Sequence, residues 1–359
     1  MGWLPDGRGL FATYQKNAVL FFAPFASTQI GFVSSLSGQL RAITKDTNNY
    51  QTLTLSADGK SLAVVQQKAT QTMYLLPATG FRGNPPNPAQ AQNKDSVIFR
   101  WASNGDLYFG DGGSLLRISV DGGLKVTLLS DPTSQILGAT GCPGGRYAVV
   151  VWAGHLGNNK TNLWRVEVDG SNPKQITQGM VDLAPVCAPD GKWLYYQDLH
   201  DFQIKRVSIE GGTPEIVPGT VVPDAFFGQL GIDISRDGKL LTFDISKTVQ
   251  NAPVHAVILV SLDVGREPPK RMLDTDQRIT GSPLFTHDGK AGVYPIRENG
   301  TDNLWLQPLD GSRGRQITNF GSDTINMFEF SPDGKTLGVM RSHVESDVVL
   351  MRDTSSPPL

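Results

Sequence analysis

The sequence predicts an all-β propeller of about eight four-stranded blades, with seven as the alternative. Three observations carry this reading. A hairpin-turn motif recurs eight times at the period of a propeller blade, strand-length apolar segments alternate with the turns, and no long segment has helical periodicity.

The repeated motif is an apolar run, a turn of the type Pro-Asp-Gly-Lys, and a second apolar run. Its copies carry the turn glycines Gly7, Gly59, Gly105, Gly145, Gly191, Gly238, Gly289 and Gly334, spaced 40 to 52 residues apart. Pro or a polar residue followed by Asp suits a type I turn, and the next Gly takes the positive-φ position that closes a short hairpin. Four residues before each glycine stand Trp3, Leu55, Trp101, Gly141, Cys187, Ile234, Phe285 and Phe330, so six of eight copies place a large apolar side chain there, the expected packing layer between blades.

A third strand follows each hairpin, as at Leu115 to Val120, Leu163 to Gly170, Ile204 to Ile209, Val257 to Leu262 and Leu304 to Gly311. Short fourth strands follow at Arg41 to Thr44, Lys174 to Thr177 and Arg315 to Thr318. Four strands per repeat leave almost no room for helix. The stretch Gly80 to Asn93 is expected as a proline-rich loop. The whole chain, 1–359, is expected as a single propeller with blades at about 1–47, 48–93, 94–132, 133–179, 180–220, 221–277, 278–321 and 322–354.

Composition excludes several classes. With 32 basic and 34 acidic side chains the net charge is -2, which lacks the basic surplus of an electrostatic nucleic-acid binder. Hydrophobic residues at 39% exclude a solvated disordered chain, and no window approaches the roughly 18 uninterrupted apolar residues of a membrane span. The start, Met1 to Arg8, lacks the features of a signal peptide. Cys142 and Cys187 are read as small buried apolar residues, too few to staple a chain of this length.

On its Phe-x-Ser-Pro-Asp-Gly-Lys turn (Phe330, Ser331 to Lys335 being a variant of it), its strands ending in Asp-Gly, and its basic-Gln-apolar-Thr strands, the chain resembles the TolB-type propeller repeats, relatives of the WD-type repeats. The resemblance covers essentially the whole chain and is best in the last two blades. More narrowly, Trp3 to Gly59 and Phe330 to Met351 resemble the C-terminal sensor propeller of bacterial membrane-anchored serine/threonine kinases or transcriptional regulators. That resemblance implies a periplasmic or extracytoplasmic location. No kinase signature occurs in the chain itself. The chain opens just before a hairpin and stops after a third strand, so it reads as a fragment of a longer protein or as a ring closed without a strand clasp, with Val348 to Met351 as an unpaired edge protected by charge.

For chemistry, the sequence has no Gly-x-Ser-x-Gly elbow and no glycine loop leading into a helix. Residues at the ends of the second strands share a rim opposite the hairpin tips. His155 and His200 come from adjacent blades and are the candidate ligands for Zn²⁺ or Mn²⁺, with His343 and Glu298 at equivalent positions. Asp198, Asp201, Asp244, Asp182 and Asp323, with Asn299 and Asn326 nearby, could bind Ca²⁺ at the channel mouth, though such residues also populate turns for local hydrogen bonding. Trp152, Tyr195, Tyr196 and Phe202 could stack on a ligand or pack the core. His255 and His287 are read as surface residues.

The expectation is a ligand-sensing or protein-interaction module within a larger bacterial signalling protein, monomeric, cofactor-free, and binding a protein, peptide or small molecule at a rim that includes Trp152, Asp198, Asp201, Asp244 and Glu298. The alternatives are a metal-assisted hydrolase or lyase at the channel mouth and a passive scaffold.

Overall fold

A computed structural model of the chain describes residues 1–15, 28–46, 48–80, 87–89, 98–223, 225–249, 252–263 and 270–352. Most of the expected proline-rich loop therefore lies outside the described residues. The described chain is all-β: its one helical element is a single 3-10 turn, His155–Gly157. Its strands form seven four-stranded sheets, the number that a seven-bladed β-propeller has.

Six of the sheets are meanders of consecutive strands. They comprise β1 (Gly2–Trp3), β2 (Gly9–Gln15), β3 (Thr28–Ser34) and β4 (Leu40–Ala42), then, after β5 (Asn49–Leu55) and β6 (Ser61–Pro77), β7 (Phe99–Trp101), β8 (Leu107–Asp111), β9 (Ser114–Ile118) and β10 (Lys125–Ser130). Next come β11 (Gln135–Gly141), β12 (Tyr147–Ala153), β13 (Thr161–Glu167) and β14 (Lys174–Gln175), followed by β15 (Asp182–Cys187), β16 (Trp193–Asp198), β17 (Gln203–Ser208) and β18 (Glu215–Ile216). The last two meanders are β19 (Phe226–Ile234), β20 (Leu240–Val249), β21 (Ala252–Ser261) and β22 (Lys270–Thr275), and β23 (Leu284–Phe285), β24 (Ala291–Glu298), β25 (Thr301–Pro308) and β26 (Arg315–Gln316).

The seventh sheet explains why eight hairpins give seven sheets. Its order is β27-β28-β6-β5, with β27 at Thr324–Phe330 and β28 at Thr336–Arg352. The β5-β6 and β27-β28 hairpins, which the repeat count assigns to separate blades, share this one sheet, so seven replaces about eight. Both β6 and β28 run for 17 residues, well beyond the usual five or six. The expected edge at Val348 to Met351 lies in β28, which has β6 beside it in the sheet order, and Val349 and Met351 pack on a buried cluster.

The turns form as the motif predicts. All eight anchor glycines have positive φ, between 66° and 89°. In seven of the eight copies the side chain before the glycine accepts a hydrogen bond from the backbone N–H of the residue after it, as Asp58 does from Lys60 (3.0 Å) and Asp333 from Lys335 (3.0 Å). The motif Ser or Thr adds a second bond to the same carboxylate from Ser56, Ser235, Thr286 and Ser331. These bonds hold the Asp58, Asp237, Asp288 and Asp333 carboxyls below their ordinary range.

The chain divides into two compact units, Met1–Thr70 with His343–Leu359, and Gln71–Ser342. In the smaller, Ile30, Tyr50, Leu62 and Val64 form the core. In the larger, each buried cluster joins one sheet to the next. Tyr108 and Leu115 pack on Ala148 and Val150, Val149 and Leu163 on Leu194 and Val207, and Tyr195 and Ile204 on Phe243 and Ile258. Val257 then meets Tyr294, Leu304 meets Phe328 and Leu337, and Met340 with Met73 packs on Phe99 and Phe109 of β7 and β8. The last contact returns to the β7–β10 sheet, so the larger unit closes on itself with six inner strands, β7, β11, β15, β19, β23 and β27. Of the expected inter-blade apolar layer, Trp101, Ile234 and Phe285 are buried, whereas Trp3 in the smaller unit is 62% exposed.

Cys142 and Cys187 depart from the expectation of separate apolar residues. They form a disulfide between the ends of adjacent inner strands, with Cα atoms 5.3 Å apart. The 45-residue spacing is one blade, which puts equivalent strand ends side by side. No helix of the structure is long and apolar enough to cross a membrane.

Candidate functional site

A cavity of about 810 Å³ opens on the hairpin side of the larger unit, and its walls come from all six inner strands and their turns. In each of the six inner strands both the residue four and the residue five before the anchor glycine line it, and the charged side chains fall at the position five before. The six residues at that position are Arg100, Thr140, Val186, Asp233, Leu284 and Glu329. Arg236 and His287 stand above them on adjacent hairpins, where Arg236 donates to the His287 imidazole.

The three charged members of this ring are held by their neighbours. Asp233 Oδ2 accepts the backbone N–H of Phe285 (2.7 Å) on β23, and Oδ1 accepts that of Ile234 (2.9 Å). Glu329 Oε2 accepts the N–H of Trp101 (2.9 Å) on β7. Both carboxylates thus tie one inner strand to the next. Arg100 Nη1 lies 3.7 Å from Glu329 Oε1, and the two side chains are 23% and 20% exposed. Withdrawal from bulk water pushes the Glu329 carboxyl up to about 7 and that of Asp233 up to about 6, against the opposing pull of Arg100 and of the backbone donors.

Sequence reasoning placed its candidates on the opposite rim, and there the structure distributes them among local networks. His155 Nδ1 is 2.8 Å from Asp131 Oδ2, and its ring stacks on Trp152 at 3.7 Å between centroids with Trp164 edge-on at 4.7 Å. Trp152 is buried and donates Nε1–H to Ser134 (2.7 Å). Bonds from Thr133, Ser134 and His155 hold the Asp131 carboxyl far below its usual range. On the next sheet Lys205 Nζ bridges Asp198 (2.6 Å) and Asp201 (3.0 Å), and exposed His200 lies 4.0 Å from Asp201. Asp244 accepts from Ser282 (2.8 Å), and Glu298 pairs with Arg278 (3.2 Å). Asp182 is fully buried beside Asn162 and the Gly179 N–H; burial raises its carboxyl. Tyr195 and Tyr196 are core residues, whereas Phe202 is exposed and contacts Phe226. Among the described residues there is no group of three or more His, Cys, Asp or Glu arranged to hold a metal ion.

The ring of Arg100, Asp233 and Glu329 escaped sequence reasoning, although its signal was present. The register five before the anchor carries Gly2 and Thr54 in the first two repeats and a charge in three of the remaining six. A side chain chosen for packing would not be charged there.

Sheets packed radially around a cavity in the larger unit define a β-propeller fold, and the solved structures similar to it include TolB. A putative TolB from Agrobacterium tumefaciens superimposes with a TM-score of 0.58 at 16% identity, over 77% of this chain and 99% of that one. TolB from Acinetobacter baumannii gives 0.50 at 13% identity, over 96% and 82%. The tricorn protease gives 0.47 at 10% identity, over 96% of this chain and 44% of that one. For the two TolB structures, at these identities, the likeness is one of fold. No family model matches the sequence, and no curated protein matches it.

Proposed function

We propose that this chain is a ligand-sensing or protein-interaction module whose binding surface is the six-hairpin face around the channel. The observation that carries the reading is the placement of three charged side chains, Arg100, Asp233 and Glu329, in a channel wall that the fold could line with apolar residues. The cavity volume falls within the range of small-molecule sites, and the surrounding hairpins add a surface for a peptide or protein. The Cys142–Cys187 disulfide supports an extracytoplasmic setting, because such bonds persist in oxidising compartments.

A displayed peptide library selected on the protein tests the face. Binders should be lost on the Arg236→Glu, His287→Glu double variant, whose changes lie on exposed hairpins. Binders that hold equally well to that variant would refute the assignment.

A further inference from the structure

The charged ring of the channel is asymmetric in its unspent hydrogen-bonding capacity. Asp233 already accepts two backbone N–H groups and Glu329 accepts one. Arg100 differs. Its guanidinium is beyond hydrogen-bond distance of Glu329, and among the described residues no hydrogen bond uses its five donors. The titratable or charged side chains facing the cavity are Arg100, Asp233 and Glu329 from the inner strands and Arg236 and His287 from the hairpins. Two of these are fixed cations, and both carboxyls are held toward their neutral forms.

We propose that the channel takes a carboxylate group of its ligand, gripped by the Arg100 guanidinium and the Glu329 carboxyl beside it. The proposal rests on the assignment of the hairpin face as the binding surface and names the chemistry it recognises. The planar fork of arginine matches a carboxylate with two parallel N–H bonds, and a neutral carboxyl can donate a third. The ligand enters as an anion, Glu329 takes one proton from solvent, and no covalent bond changes. A cationic ligand would instead require both carboxylates ionised and would approach Arg100 against like charge. The carboxylate could belong to a small organic acid or to a peptide.

Titration calorimetry with three probes, N-acetyl-triglycine, its C-terminal amide and propionate, tests this at pH 6 and pH 8. We expect the free acid to bind and the amide not to bind, with affinity about tenfold weaker at pH 8 because the carboxyl that must be protonated titrates near 7. Propionate binding as tightly as the peptide acid identifies a small acid as sufficient, and binding of the peptide acid alone identifies a chain terminus. Glu329→Gln should lose clearly less affinity than the parent between pH 6 and pH 8, the remaining loss coming from ionisation of Asp233. Arg100→Gln should lose at least about tenfold at both values, and Arg100→Lys, which keeps the charge without the fork, should lose part of it. Equal binding of acid and amide, affinity that rises with pH, or no binding of either acid overturns the proposal. In the first case the hairpin face stands as the binding surface and only its carboxylate preference falls, whereas peptides insensitive to the hairpin variant would remove the face itself.

Discussion

Replacing Glu329 by Gln should make the protein more stable above neutral pH and leave it nearly as stable as the parent at pH 5. The Glu329 carboxyl titrates near 7 in the fold, against an ordinary value of 4.5. A group whose folded pKa is raised binds its proton more tightly in the folded state, so its contribution is full below 4.5 and is lost as pH rises through 7. A shift of this size corresponds to about 3 kcal/mol, of which less than about 1 is lost by pH 5. Glutamine keeps the acceptor for Trp101 N–H and carries no charge to desolvate. Urea denaturation at pH 5, 6, 7 and 8 should show the variant gaining about 2 to 3 kcal/mol on the parent across that range. Asp233, raised to about 6, titrates with the same sign in both proteins and is coupled to Glu329, so the difference reports the pair with Glu329 as its larger member. Parallel curves for variant and parent, or a variant that loses ground as pH rises, would refute the reasoning.

Gly191→Val should cost about 1 to 3 kcal/mol in thermal or urea unfolding, because φ is +66° there and the nearest atom to an added Cβ, Pro143 O at 3.4 Å, is not a clash. Gly334→Val should cost more, since its Cβ would meet the His287 ring as well as the same left-handed strain. Joint replacement of Cys142 and Cys187 by Ser should lower stability by about 2 to 4 kcal/mol on the loop-entropy account, and free-thiol titration of the denatured, unreduced parent should find none at these positions. Lys205→Met should destabilise by about 3 to 5 kcal/mol by leaving Asp198, 4% exposed, without its cation; an unchanged midpoint would show that the pair is weaker than its geometry implies.

The strand plan was readable because each local rule left a residue-level trace. The turn glycines fix positive φ, and the Asp or Asn beside seven of the eight accepts a backbone N–H, so third strands such as β13 and β25 fall where the apolar runs placed them. The sheet count was not readable. It depends on β6 and β28 running for 17 residues and sharing a sheet, a long-range pairing that no local pattern encodes. Disulfide pairing is of the same kind, since Cys142 and Cys187 meet only because one repeat returns the chain to the next inner strand. The channel ring is hidden for a different reason: histidines and carboxylates are conspicuous at the second-strand ends, where His155 is engaged by Asp131 and Asp198 by Lys205, while Arg100, Asp233 and Glu329 are single charges scattered through the inner strands that line the cavity.

If ligands meet the hairpin face and not the far rim, amide hydrogen exchange on the complex with a peptide selected by display will show added protection in the hairpin segments Trp101–Asn104, Thr140–Gly145, Val186–Cys187, Ile234–Arg236, Phe285–His287 and Phe330–Ser331, with little change elsewhere. Protection confined to Trp152–His155 and Asp198–Phe202 would contradict it.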